Sequence, residues 1–120
     1  MNIKITLSMT FIILAFLMTS CVSSLSENQL DFGIKAAQKG LWDEAIFRWE
    51  KVVQSDPNSA AAHNNLAVAY EKKGYFEKAE IEYKKALQLN PKNEKIQSNY
   101  EKFKKNIDKN EKDEKKDEKK

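Results

Sequence analysis

Residues 60–93 read AAAHNNLAVAYEKKGYFEKAEIEYKKALQLNPKN, and residues 26–59, SENQLDFGIKAAQKGLWDEAIFRWEKVVQSDPNS, repeat the pattern at a spacing of 34 residues. Gly40 matches Gly74, Trp42 matches Phe76, and Ala45 matches Ala79. Trp49 matches Tyr83, Val52 and Val53 match Ala86 and Leu87, and Pro57 matches Pro91. Upstream, Phe32 pairs with Leu66 and Gly33 with Ala67. A fixed period of this size marks a stacked repeat fold, because each unit is too small to bury its own apolar face. Such folds present surface to other proteins, which turns the functional question from a reaction to a partner.

Within each unit the apolar residues have helical spacing. Leu30, Phe32, Ile34, Ala36 and Ala37 suit a helix that Gly40 can end. Asp43 is the expected N-cap of the next helix, where Trp42, Ala45, Ile46, Trp49, Val52 and Val53 recur at steps of three and four. Asp56-Pro57-Asn58 stops it, since proline cannot continue a helix and disfavours helical geometry in the residue before. The pattern restarts with Leu66, Ala67 and Tyr70, breaks at Gly74, and resumes with Phe76, Ala79, Tyr83, Ala86 and Leu87 before Asn90-Pro91. A fifth helix is predicted over 94–107, capped by Asn93, with Ile96, Tyr100, Phe103 and Ile107 on one face. From Asp108 onward the chain is almost only Lys, Glu and Asp, which cannot bury apolar area, so 108–120 is expected to be disordered or a fraying helix.

These residues resemble two tetratricopeptide repeats, 26–59 and 60–93. Leu66, Ala67, Tyr70, Gly74, Ala79, Tyr83, Ala86 and Pro91 fall at the signature positions in the second, with His63 where Trp often stands. In the first, Phe32, Gly33, Gly40, Trp42, Ala45, Trp49 and Pro57 fit, while Ala36 replaces the usual Tyr. The resemblance implies an all-α fold: two helix-turn-helix units plus a C-terminal capping helix, spanning 27–107. It also implies a concave groove lined by the first helix of each pair. Here that groove would include Leu30, Ile34, Asn64, Asn65, Val68 and Lys72, with Lys95 from the last helix. One branch of the family clamps acidic C-terminal peptides with a Lys and an Asn on its first helix. Leu30 and Ile34 stand at those places, so the clamp is rejected and an extended peptide or helix of another protein is the expected ligand. Burial of Leu30 and Ile34, locally or by the linker, is the competing reading.

The N-terminal segment reads as an export signal. Lys4 precedes an apolar run, Ile5 to Met18, shorter than the roughly 20 residues that cross a bilayer as a helix. Met18-Thr19-Ser20-Cys21 is similar to the lipobox of bacterial lipoproteins, which implies cleavage after residue 20 and lipid on Cys21. An ordinary cleaved signal with a chance cysteine, or an uncleaved anchor, are the alternatives. Residues 21–26 form a linker, and its last five span at most ~18 Å, keeping the folded part near a membrane. With one Cys no intramolecular disulfide forms.

The chemistry on offer is sparse. There is one His and one Cys, and neither a metal-ligand cluster nor a Gly-rich phosphate loop is spelled out, so a non-enzyme without cofactors is expected. His63 is read as a packing residue. A net charge of +3 from 21 basic and 18 acidic side chains is too evenly mixed to argue for nucleic acid. The expectation is a lipid-anchored interaction scaffold of the bacterial cell envelope, in the periplasm or at the cell surface. Val22 after the cysteine, where Asp would mark inner-membrane retention, hints at the outer membrane. Its partners would be another envelope protein, or a peptide segment of one, and the membrane through Cys21. The alternative is a structural homo-oligomer such as a homodimer, because repeat stacks usually need three or more units.

Overall fold

The computed structural model describes residues 27–117, with side chains to residue 110. The signal segment, Cys21 and the linker up to residue 26 lie outside the described residues, as do 118–120. The described chain forms five helices and, among these residues, no strands. They are α1 (27–38), α2 (Trp42–Ser55), α3 (Ala60–Lys72), α4 (Phe76–Leu89) and α5 (Glu94–Asp117).

The two hairpin turns have the same cause. Gly40 has φ 75° and Gly74 φ 77°, a left-handed geometry that costs a side chain ~1–2 kcal/mol and glycine nothing comparable. At these turns the amides of Leu41 and Tyr75 reach back to the carbonyls of Ala36 and Tyr70, closing each helix on its own last turn. Aspartate, by contrast, does not start α2. Leu41 holds the N-cap position with no side-chain cap, and Asp43 lies inside the first turn. The helix begins one residue before Asp43, which therefore lies past the cap position; its carboxylate suits the positive end of the helix dipole and pairs with Lys73 Nζ at 3.0 Å. Ser59 is a cap that the sequence reading passed over: its Oγ accepts from the Ala62 amide at 3.3 Å. Asn93 caps α5 as expected, its Oδ1 accepting from the Ile96 amide at 3.1 Å.

The core runs through the stack rather than sitting inside either repeat. Ala45, Ala67 and Ala79 have no exposed surface, which lets the helix axes approach closely. Leu66 and Tyr83 are the largest fully buried side chains, each contributing about 1.5–3 kcal/mol on area grounds. The tightest approach is at Gly33, where a Cβ would lie 2.3 Å from Trp49 Nε1. That indole donates to the Leu30 carbonyl at 3.1 Å, tying α1 to α2. At the other end Tyr83 meets Phe103 at 5.3 Å and Tyr100 at 5.8 Å between ring centroids, which docks α5 onto α4.

Helix α5 does not end with its apolar stripe at Ile107. It continues to Asp117, so the helix overruns the boundary expected at 107. Lys and Glu are good helix formers, and intrinsic propensity carries the helix on where burial no longer contributes. Among the described residues no helix is long and apolar enough to cross a membrane.

Candidate functional site: a groove across three helices

The first helix of each unit contributes to one face, and there a groove of about 580 Å³ opens between α1, α3 and the start of α5. Leu30, Ile34 and Ala37 form its apolar wall, with Trp42 behind them. Asn64 and Asn65 form the opposite wall, and Asn93 and Lys95 close the end near α5. The groove therefore brings together Leu30, Ile34, Asn64, Asn65 and Lys95 from the expected set. It does not bring in Val68 or Lys72. Val68 packs half-buried against the core. Lys72, a full turn further along α3, lines a separate depression with Glu71, Phe76 and Asn106.

Leu30 is partly buried against the core, whereas Ile34 is 38% exposed at the groove. Helix packing among the described residues thus covers Leu30 in part and leaves Ile34 open, while the linker that could also cover them lies outside the described residues. Along the asparagine wall the side chains are linked, with Asn99 of α5 outside the groove lining. Asn99 Nδ2 donates to Asn64 Oδ1 at 3.1 Å, and Asn64 Nδ2 points to Asn65 Oδ1 at 3.5 Å. Asn64 is 4% exposed, so its orientation is held, and Asn65 beside it is half-buried with amide hydrogens left for a ligand. Asn99 was not singled out by the spacing argument. It meets Asn64 from 35 residues away, a contact that no local pattern signals.

His63 is buried, as a packing residue would be, but both of its ring nitrogens are in polar contact. Nδ1 lies 2.5 Å from Glu82 Oε2 and Nε2 2.9 Å from the Pro57 carbonyl. Both neighbours are acceptors, so the two contacts need one proton more than a neutral imidazole and an ionised carboxylate hold between them. The result is a polar tie joining α3, α4 and the loop at Pro57, away from the groove. Among the described residues no group of three or more His, Cys, Asp or Glu side chains could hold a metal ion.

Known proteins resemble this chain in sequence and fold. A tetratricopeptide repeat family model matches residues 60–93, and a second TPR repeat model matches residues 36–74. The type IV pilus assembly protein PilF of Pseudomonas aeruginosa is 30% identical over 105 residues, covering 76% of this chain and 42% of that protein. The chain thus spans about two fifths of the length of that curated relative. A solved structure of P. aeruginosa PilF superposes with a TM-score of 0.69 at 28% identity, covering 75% of this chain and 40% of that one. The TPR domain of Arabidopsis OM64 also reaches 0.69, at 20% identity and 73% coverage of each chain, a likeness of fold alone. Residues 36–93 of this chain thus match tetratricopeptide repeat models, and the described residues fold as a short all-helical stack.

Proposed function

We propose that this protein is a non-catalytic scaffold of the bacterial cell envelope that holds an extended segment of another envelope protein in the groove between α1, α3 and α5. The carrying observation is the groove's two-sided lining: exposed Ile34 on the apolar wall faces Asn65, with Lys95 at the end. An extended peptide presents side chains and backbone amides alternately, and such a lining engages both. Similarity to a pilus assembly protein supports an envelope setting and a role in assembly.

In this reading residues 1–20 are removed as a signal, Cys21 carries lipid, and 21–26 tether the repeats at a membrane, the outer one by preference. Cys21→Ala is then expected to abolish incorporation of labelled fatty acid, and label that persists in the variant overturns the anchor. For the groove, the test is crosslinking of the tagged protein in cells, followed by mass spectrometry. A recurrent envelope protein, lost with Leu30→Glu and Ile34→Glu together while the fold is retained, is the expected result. Unchanged recovery of that protein rules the groove out.

A further inference from the structure

Phe32 and Leu66 occupy the same position in successive repeats, yet Leu66 is 2% exposed and Phe32 52%. Leu66 has α1 and α2 before it, whereas among the described residues nothing precedes α1. Beside Phe32 lies Phe47, 48% exposed, and the Arg48 guanidinium bridges them at 5.8 Å and 5.7 Å from the two ring centroids. Lys35 sits 5.7 Å over Phe32 and Lys51 4.8 Å over Phe47. Asp31 pairs with Lys35, and Glu44 with Arg48, each at 2.6 Å. Lys51 has no ion pair among the described residues. This edge is two half-exposed rings flanked by two ion pairs and by Lys51 as the cation without one among the described residues. Aromatic residues and arginine are the types that interfaces favour.

The far end of the stack carries the counterpart. Between α4 and α5 lies a groove of about 380 Å³ with Phe76, Phe103 and Ile107 as its apolar floor. Glu77, Glu80 and Asp108 rim it, with Lys104 the one base. One repeat earlier the matching place, at Tyr70, is covered by α4: the Tyr75 ring lies 6.3 Å from that of Tyr70, and Lys78 sits 5.4 Å over it. At the far end no described residue plays that part, and Phe76 is 39% exposed where its repeat mate Trp42 packs on the core. Glu80 is paired with Lys84 at 2.7 Å, while Glu77 and Asp108 have no ion pair among the described residues.

We infer that two copies of this chain dock head to tail, the Phe32–Phe47 edge of one seated in the groove between α4 and α5 of the other. The charges choose this arrangement. A two-fold dimer through either edge sets its unpaired charges against their own kind, whereas the head-to-tail contact opposes Lys51 to Glu77 and Asp108, which have no ion pair among the described residues. Because the two surfaces differ, the contact is heterologous and repeats from copy to copy unless its rotation closes a ring. It uses neither wall of the peptide groove and does not depend on that reading.

The test is sedimentation of the full chain in detergent with reductant, so that the N-terminal segment and Cys21 are alike in every sample. The mass of the unaltered chain is expected to rise with its concentration beyond that of a dimer. One variant carries Phe32→Glu and Phe47→Glu, another Glu77→Lys and Asp108→Lys. All four sites are exposed, and circular dichroism verifies that each variant is folded. Each alone is expected to be monomeric, while an equimolar mixture forms a one-to-one complex and goes no further, since one good edge of each kind remains. An unaltered chain that stays monomeric, association that survives in both variants, or a mixture without complex each overturns the proposal.

Discussion

Gly33 lies so close under the indole of Trp49 that a methyl group on its α-carbon would come within 2.3–2.7 Å of three ring atoms. The ring cannot swing aside, being 3% exposed and pinned by its hydrogen bond to Leu30. Two effects compete in Gly33→Ala: a helix-propensity gain of about 1 kcal/mol and an overpacking cost of about 1–3 kcal/mol that rises with overlap. At this overlap the cost wins. The variant is expected to lose about 2 kcal/mol in urea unfolding, and one as stable as the parent would show that α1 can move off α2 freely.

The His63–Glu82 contact makes a chemical prediction. Glu82→Ala leaves a buried ring nitrogen without its partner and is expected to cost about 1–3 kcal/mol. Glu82→Gln should cost much less, because an amide donates to one ring nitrogen while the other donates to the Pro57 carbonyl, and a neutral ring then satisfies both. Equal losses in the two variants, measured by denaturant unfolding, would mean that the hydrogen bonds contribute little and that His63 acts by packing.

Caps separate in the same assay. Ser59→Ala removes the acceptor for the Ala62 amide and is expected to destabilise by about 1 kcal/mol. Asp43→Ala removes only an exposed pair with Lys73, with the Asp43 side chain 81% exposed, and should change stability by less than about 1 kcal/mol. The reverse order would restore Asp43 as the cap.

Two phenols make stability fall in alkali. Tyr70 donates to Glu50 at 2.8 Å and Tyr83 to Glu71 at 3.0 Å. Burial first, and then the neighbouring carboxylate, pushes both well above the usual tyrosine range. The folded state therefore keeps protons that the unfolded chain releases above about pH 10. The stability these groups contribute is fully present below that pH and is lost as the pH rises towards their folded values. Unfolding free energies at about pH 9 and pH 11 should show the fall, and Tyr70→Phe with Tyr83→Phe should flatten it. A slope unchanged by the double variant would place its origin elsewhere.

The repeat period, the helical spacing and the glycine and proline punctuation were legible in the chain because they are local: φ at Gly40 and Gly74, and the stop at Pro57, depend on few neighbours. From them followed the number of helices and their order, while the groove-lining face of the first helices came only from the resemblance to tetratricopeptide repeats. Helix ends were less legible. Asp43 carries the right side chain for a cap, but its pairing with Lys73 is made by residues 30 apart in sequence. The overrun of α5 past Ile107 reflects propensity acting where the apolar pattern had stopped.

What only the tertiary structure decided is which residues meet between helices. Val68 and Leu30 have similar apolar side chains on first helices, yet one packs on the core outside the groove and the other forms the groove wall. Phe32 and Leu66 share a repeat position, yet Leu66, with α1 and α2 before it, is buried and Phe32, with no described residue before α1, is exposed. Burial is a property of the stack, summed over helices distant in sequence, and a periodic pattern repeats the same letters without recording which neighbours cover each copy.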